Sequence, residues 1–293
     1  MTTPTLRAQD LQPGQSAPPL VKVARNFAAA SENKIHDDDE AKRYGLKSGL
    51  VGGVSLYAYA SELIVALLGP RWLQAGRASV RFVRPVYDGE TVNIVATRTS
   101  APSDGDGLRL EYAIVGPEGQ TCVLGDAALG EGAAPSAAWS YAPWPGRASL
   151  HGSRPALTPA SVPLGVALDP RTAVFDAETV QQYADDHEDA GPWYHGGSVF
   201  GLPIVPPGLI AGQVARLLRE NFEYGPSVHT ASEIQHLAVP LAGGAYTIDA
   251  AIVETFEKRG SDYLVADVLV RDHNQQPVTR IRHSSIFRFA PRG

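Results

Sequence analysis

His36 lies in a polar stretch that runs directly into a glycine-rich segment, and this arrangement suits acid-base chemistry on a carbonyl compound. The stretch reads SENKIHDDDEAKRYGLKSGLVGGVSLY and runs from Ser31 to Tyr57. An imidazole titrates near neutral pH, so it can take a proton from a reactant or return one. Gly52 and Gly53 precede an apolar run, and backbone N–H groups at a glycine-rich helix start can stabilise a developing oxyanion. These residues are therefore candidates for catalysis and for substrate binding.

The same stretch also has structural explanations. A histidine in a loop is often only locally bonded, and the run Asp37 to Asp39 is more typical of a helix N-cap or a solvated face. Gly52 and Gly53 could serve close helix packing alone. Tyr57 is chiefly a core candidate, although its hydroxyl could point into a pocket.

An internal repeat indicates which elements must position these residues. Three landmarks recur 155 residues apart, namely Gly53 and Gly208, Pro85 and Pro240, and Gly89 and Gly244. A constant offset implies matching element lengths in both halves, so the pattern predicts a tandem duplication.

Each half is predicted to contain one long helix followed by four strands. The helices are expected at Gly53 to Leu68 and Pro207 to Asn221. Alternating apolar and polar residues between turn signals such as SDGDG and KRGS predict the strands. Their expected ranges are 78–85, 91–100, 108–115 and 121–129 in the first half, and 233–239, 246–254, 262–271 and 278–289 in the second. Short links between strands predict an α+β fold with an antiparallel sheet and its helix on one face.

The sequence between the two halves differs in composition. Residues 132–170 are rich in Ala, Pro, Gly and Ser and contain Trp139 and Trp144. This composition predicts a linker that lies on the surface, held by its aromatic residues. The expected organisation is a repeat at 1–131, a linker at 132–170 and a second repeat at 171–293.

Composition excludes several classes of function. The formal net charge is -6, and no cluster of Lys and Arg is evident, which argues against nucleic acid as a partner. Cys122 is the only cysteine, so a disulfide framework and a cysteine-based zinc site are excluded, and a cytoplasmic location is expected. The longest apolar run contains Ser55, Ser61 and Glu62, which favours a buried helix over a membrane span.

Two groups of residues carry a family resemblance. One lies around His36 and consists of Asn33, Ile35, His36, Asp38, Ala41, Gly45 and Gly53; the other lies in a predicted strand and the turn after it and consists of Phe82, Pro85, Val86 and Gly89. The first group is similar to the hydratase motif, and the second to the strand signature, of the MaoC-like (R)-specific enoyl-CoA hydratases and 3-hydroxyacyl dehydratases. A helix with an antiparallel sheet, present twice, resembles the double hot-dog fold. The resemblance covers about residues 20–130 and 175–290.

The chain departs from the family motif at its acidic position. In the family an aspartate five residues before the histidine shares catalysis with it, and Ser31 occupies that position here. Glu32 is one residue nearer, and its longer side chain could bring a carboxylate to the same point. In the second half the acid is kept as Asp189, but Tyr194 replaces the histidine.

The resemblance implies reversible hydration of an enoyl thioester, with His36 as general acid or base and no metal or cofactor. The expected catalytic residues are His36, Glu32, Asn33, Asp189 and Tyr194, and the expected substrate-binding residues are Ser31, Gly52, Gly53, Tyr57, His187 and His195. Two other functions stay open. The chain could be an acyl-CoA thioesterase, in which Glu32 or Asp189 activates water, or a non-catalytic acyl-binding subunit. The expected partner is a small-molecule acyl thioester, with no nucleic acid or membrane, and the chain is either a monomer with internal pseudo-symmetry or a homodimer.

Overall fold

The two predicted long helices form with the expected bounds. We describe a computed structural model, which covers residues 6–99, 107–130, 144–148, 150, 152–196 and 198–290. One long helix, α2, spans Gly53–Leu68 and has most of its side chains buried. The other, α5, spans Pro207–Asn221 and begins with Pro at its first position, where a missing N–H costs no hydrogen bond.

Three shorter α-helices accompany them within the described residues, and two short 3-10 helices lie at Ala8–Asp10 and Lys34–His36. Helix α1 is Asp38–Arg43, α3 is Trp72–Ala75 and α4 is Ala177–Asp186. The side chain of Asp37 accepts hydrogen bonds from the first turn of α1 and caps it, which is a structural role for one of the three aspartates.

Ten strands form one continuous sheet. The first half contributes β1 (Leu20–Val23), β2 (Arg77–Phe82), β3 (Thr91–Arg98), β4 (Leu108–Val115) and β5 (Thr121–Leu129). The second half contributes β6 (Arg171–Phe175), β7 (Val228–His236), β8 (Gly244–Lys258), β9 (Ser261–Arg271) and β10 (Pro277–Arg288). The eight predicted strands are all present, whereas β1 and β6 were not predicted.

The strand order is the same in both halves when it is read outward from the centre. The sheet order is β1-β3-β4-β5-β2-β7-β10-β9-β8-β6, and every pairing between these strands is antiparallel. The two halves join where β2 pairs with β7, in a register that places Arg77 opposite Gln235 and Arg81 opposite Ala231. Helix α2 packs against β3, β4 and β5, and α5 packs against β6 and β8. The structure is thus a mixed α and β fold with one large antiparallel sheet.

The described part of the predicted linker packs against the second half. Gly165 and Leu168 donate backbone hydrogen bonds to Ile252 and Ala250 of β8. The side chains of Leu157 and Leu168 are buried in the core. Trp139 lies outside the described residues, and the domain boundaries stay a prediction.

Helices α2 and α5 touch closely at Gly208. A methyl group at this position would clash with the hydroxyl of Tyr183 in α4, and it would lie 2.9 Å from the carbonyl oxygen of Val54 and 3.1 Å from the Cβ of Ala58. A side chain there would force the helices apart, because packed interiors do not yield without strain. Gly208 therefore sets the distance between the two central helices.

We expect Gly208→Ala to lower the free energy of unfolding by about 1–3 kcal/mol, because the added methyl group overpacks the contact with α2 and with the Tyr183 hydroxyl. Gly212→Ala is the matched control, since a methyl group at position 212 would lie 3.9 Å from the nearest atom, a side-chain carbon of Val54. That substitution should raise the free energy of unfolding by about 0.5–1 kcal/mol through helix propensity. Urea denaturation measures both values, and equal effects at the two positions would contradict the proposed role of Gly208.

Candidate active site

A cavity of about 620 Å³ opens at the amino end of α2. Its walls come from the loop before α2, the start of α2 itself, one face of α5 and the beginning of β7, so both halves of the chain contribute. Apolar side chains such as Leu56, Phe82 and Val86 form much of the lining. A volume of this size is in the usual range for a small-molecule site.

Short hydrogen bonds hold the His36 loop against the segment that leads into α2. Leu50 donates its backbone N–H to the carbonyl of Ile35 at 3.1 Å. The carboxylate of Asp38 accepts the N–H of Gly49 at 2.9 Å, and the amide of Asn26 donates to the carbonyl of His36 at 2.8 Å. The backbone that carries His36 is therefore fixed beside the start of the helix.

The imidazole of His36 lines the cavity as a neutral base. Its Nδ1 lies 2.7 Å from the carbonyl oxygen of Leu50. A carbonyl can only accept, so Nδ1 carries the proton and Nε2 keeps its lone pair. Burial lowers the pKa of His36, the bond to Leu50 opposes this, and the positive charge of Arg219 lowers the pKa further. At neutral pH the ring is therefore uncharged and able to accept a proton.

Two glycines provide backbone donors next to this imidazole. Gly52 and Gly53 both line the cavity, and Gly52 caps α2 without any side-chain hydrogen bond. The N–H groups of Gly53 and Val54 have no acceptor among the described residues, as is usual in the first turn of a helix. The ring carbon Cε1 of His36 would be 4.0 Å from a methyl group placed at position 52. The glycine-rich helix start, which the sequence offers as an oxyanion site at Gly52 and Gly53, therefore lies beside the imidazole of His36.

The neighbours of His36 in the sequence do not all face this cavity. Ser31 lines it, whereas the Glu32 side chain is 68% exposed and forms an ion pair with Arg154 at 3.3 Å. Asn33 also borders the cavity, but its amide is occupied, because it donates to the carbonyl of Ser227 at 2.9 Å and accepts the N–H of Ser227 at 3.0 Å. Asn33 thus clamps the two halves together. Tyr57 is fully buried in the core and does not line the cavity.

The corresponding region of the second half is filled. Asp189, Tyr194 and His187 border a separate space of only about 10 Å³, about the size of one water molecule. Tyr194 is fully buried, and Asp189 accepts the N–H of Gly191 at 2.9 Å. His195 contacts the carbonyl of Asp189 at 3.1 Å. Of these four residues, only His187 also borders the large cavity, where it stacks on Tyr183.

Several cavity residues were not singled out as functional from the sequence. Arg216 and Arg219 come from α5, and His229 and His283 come from β7 and β10. The arginines could have been found, since Gly212, Ala215, Arg216 and Arg219 follow helical spacing and share one face of α5. His229 and His283 could not have been found from the sequence, because they reach the cavity only through the pairing of the strands that carry them.

The described residues include no group of three or more His, Cys, Asp or Glu side chains that could hold a metal ion. They also include no helix long and apolar enough to cross a membrane.

Comparisons with known proteins identify the fold. No family model and no curated protein matches the sequence. A protein from Chloroflexus aurantiacus described as a MaoC domain dehydratase superposes with a TM-score of 0.66 at 13% identity, covering 100% of this chain and 99% of that one. A Mycobacterium tuberculosis protein described as having a double hotdog fold superposes with a TM-score of 0.65 at 17% identity, covering 96% of this chain and 98% of that one. A protein from Lactobacillus plantarum described as an oleoyl thioesterase superposes with a TM-score of 0.55 at 9% identity, covering 95% of this chain and 98% of that one.

These likenesses confirm the structural resemblance to MaoC-like dehydratases and to double hot-dog proteins. At such identities they establish the fold alone. The activity has to be argued from the cavity.

We expect Asn33→Ala to lower the free energy of unfolding by about 1–3 kcal/mol, because it leaves the buried N–H and carbonyl of Ser227 without partners. Lys34→Ala is a suitable control, since this neighbouring side chain is exposed. Chemical denaturation measures the change. A stable Asn33→Ala protein that has lost its activity would instead indicate a direct catalytic role for the amide.

Proposed function

We propose that the chain is a hydro-lyase that reversibly hydrates an enoyl thioester to a 3-hydroxyacyl thioester, or acts on a related β-hydroxy carbonyl compound. The observation that carries the proposal is the neutral His36, with Nε2 free, beside the unpaired N–H groups at the start of α2 in a cavity of about 620 Å³. This combination supplies a base and an oxyanion site at one place.

The proposed reaction begins when a water molecule donates a hydrogen bond to Nε2 of His36. The water oxygen bonds to the β-carbon while one of its protons moves to Nε2, and the electrons of the double bond move to the thioester oxygen. The N–H groups of Gly53 and Val54 stabilise that oxyanion. The α-carbon then takes the proton from Nε2, which regenerates the neutral imidazole and completes the addition of water. Dehydration follows the same steps in reverse.

The lining of the cavity suits an acyl thioester on a charged carrier. Apolar residues can hold an acyl chain, and the cationic side chains of Arg84, Arg216 and Arg219 also border the cavity. Arg216 and Arg219 form no ion pair with any described carboxylate at hydrogen-bonding distance. They are therefore free to attract a phosphate of the carrier.

The shared strand order supports a chain built from two tandem hot-dog repeats, each a long helix wrapped by its half of the sheet. Hot-dog units pair by joining their sheets, and the pairing of β2 with β7 satisfies this within one chain. A monomer is therefore the simplest assembly, and a homodimer of such chains is the alternative.

The position of Asp186 at the edge of the cavity supports a second candidate function, that of a thioesterase. It is the only carboxylate that borders the cavity within the described residues, and Gln182 donates a hydrogen bond to it at 2.7 Å. A carboxylate could activate water against the thioester carbonyl, which would cleave the thioester and release a thiol. The two activities give different products from one substrate.

We expect the enoyl absorbance of crotonyl-CoA to decrease when purified protein is added, without release of free thiol. His36→Ala should lower kcat by about 100- to 10,000-fold, since it removes positioned acid-base catalysis, and should leave the fold intact. The control is His273→Ala, which alters an exposed histidine in a turn away from the cavity. Thiol release would identify a thioesterase, and tight binding without turnover would identify an acyl-binding protein.

The pH dependence tests the charge state of the base. The pKa of His36 is lowered below 6.5, so activity should stay constant through neutral pH and fall only as His36 becomes protonated below pH 6.5. Arg219→Gln should move this acidic limb to higher pH, because it removes a positive charge that disfavours protonation. Arg71→Gln, on the exposed surface, serves as the control. A pH profile of kcat that does not move in Arg219→Gln would contradict the proposed electrostatic contact.

A further inference from the structure

A second imidazole reaches the amino end of α2 from the other half of the chain. His229 lies near the start of β7 and lines the same cavity as His36. Its ring packs between Phe82, at 4.6 Å, and His283, at 4.2 Å between ring centroids. A methyl group at Gly53 would lie 3.0 Å from Nδ1 of His229. His36 and His229 therefore adjoin two consecutive residues, Gly52 and Gly53, whose Cα atoms are about 3.8 Å apart.

The hydrogen bonds of His229 determine which nitrogen keeps its lone pair. Nε2 lies 3.1 Å from the carbonyl oxygen of Ala231 and 2.8 Å from the hydroxyl of Ser232. The carbonyl cannot donate, so Nε2 must carry the proton. The hydroxyl of Ser232 can then donate onward to Nδ1 of His283, at 3.4 Å. These hydrogen bonds fix the orientation of the His229 ring through its Nε2 atom.

Nδ1 of His229 is consequently an acceptor that faces no protein donor. It has no hydrogen-bond partner among the described residues, and the residue is only half-buried because it borders the cavity. Burial lowers the pKa of His229 to about 4, so the ring is neutral at physiological pH. Two neutral imidazoles, each with one nitrogen that keeps its lone pair, thus border the cavity beside Gly52 and Gly53.

We propose that His229 is a catalytic residue that holds the reacting water through Nδ1, in place of the carboxylate that Ser31 lacks. This inference rests on the proposed hydratase function. The water donates one hydrogen to Nε2 of His36 and the other to Nδ1 of His229. The first proton transfers to His36 as the oxygen bonds to the β-carbon, and the second stays on the oxygen and becomes the product hydroxyl hydrogen. His36 then returns the first proton from Nε2 to the α-carbon, so the oxygen and both hydrogens of the water are in the product and the imidazole is neutral again.

Two substitutions separate this role from simple packing. In His229→Asn the side-chain amide occupies the place of Nδ1, so an acceptor remains there. In His229→Gln the amide reaches the place of Nε2, so the bonds to Ala231 and Ser232 can be kept while the acceptor is lost. We expect the His229→Gln variant to lower kcat for crotonyl-CoA by about 100-fold or more, with a KM close to that of the wild type. The His229→Asn variant should retain at least about tenfold more activity than the His229→Gln variant.

His236→Gln is the matched control. His236 lies on the same strand, is buried against Trp72 and does not line the cavity. Its substitution should alter stability more than kcat. Equal loss in the Asn and Gln variants of His229, or full activity in the Gln variant, would overturn the proposal.

Nitrogen NMR of histidine-labelled protein distinguishes failure of this inference from failure of the proposed function. The His229 signals are assigned by their loss in His229→Gln, and Nδ1 should appear unprotonated and shift when 3-hydroxybutyryl-CoA is added. A shift of the Nδ1 signal without hydratase activity would show that His229 contacts the ligand but would contradict the proposed hydratase function. Hydratase activity without a shift would reject His229 as the water-holding residue, and the absence of both would reject both proposals.

Discussion

The antiparallel pairing of β2 with β7 is the interaction on which the candidate site depends. It joins the two halves into one sheet and places the end of β2, with Phe82, beside the start of β7, with His229. Side chains alternate between the two faces of a strand, so a slip of one residue would turn His229 away from the cavity. The amide of Asn33 reinforces this arrangement by binding the loop just before β7. The position of the His229 imidazole is therefore a consequence of how the halves pair.

The two halves share a strand order, yet the spaces at the starts of their long helices differ greatly in size within the described residues. At the start of α2, small residues and a histidine leave a large cavity. At the start of α5, Tyr183 and Tyr194 border a space of only about 10 Å³. Helix α5 instead presents Arg216 and Arg219 to the cavity of the first half. The second half thus contributes residues to the walls of the large cavity.

The sequence predicted the elements better than it predicted the site. Glycine or proline at the helix starts and alternation in the strands depend on local geometry, so α2 and α5 were predicted with correct bounds. The strands β1 and β6 were missed, because segments of four and five residues carry little periodic signal. Chain neighbours of His36 can point in opposite directions, which is why Glu32 faces solvent and pairs with Arg154. Contacts such as Asn33 with Ser227 span 194 positions and have no local signature.

A second neutral imidazole has a physical advantage over a carboxylate at this place. An ionised carboxylate in a half-buried, mostly apolar cavity would carry a large desolvation cost unless it were paired. It would also raise the pKa of His36 and favour the protonated form, which cannot act as a base. A neutral acceptor at His229 orients water without either effect, and burial, together with the positive charge of Arg219, lowers the pKa of His36. The absence of the acidic residue at Ser31 is then compatible with base catalysis, because the task of holding water passes to the opposite half of the chain.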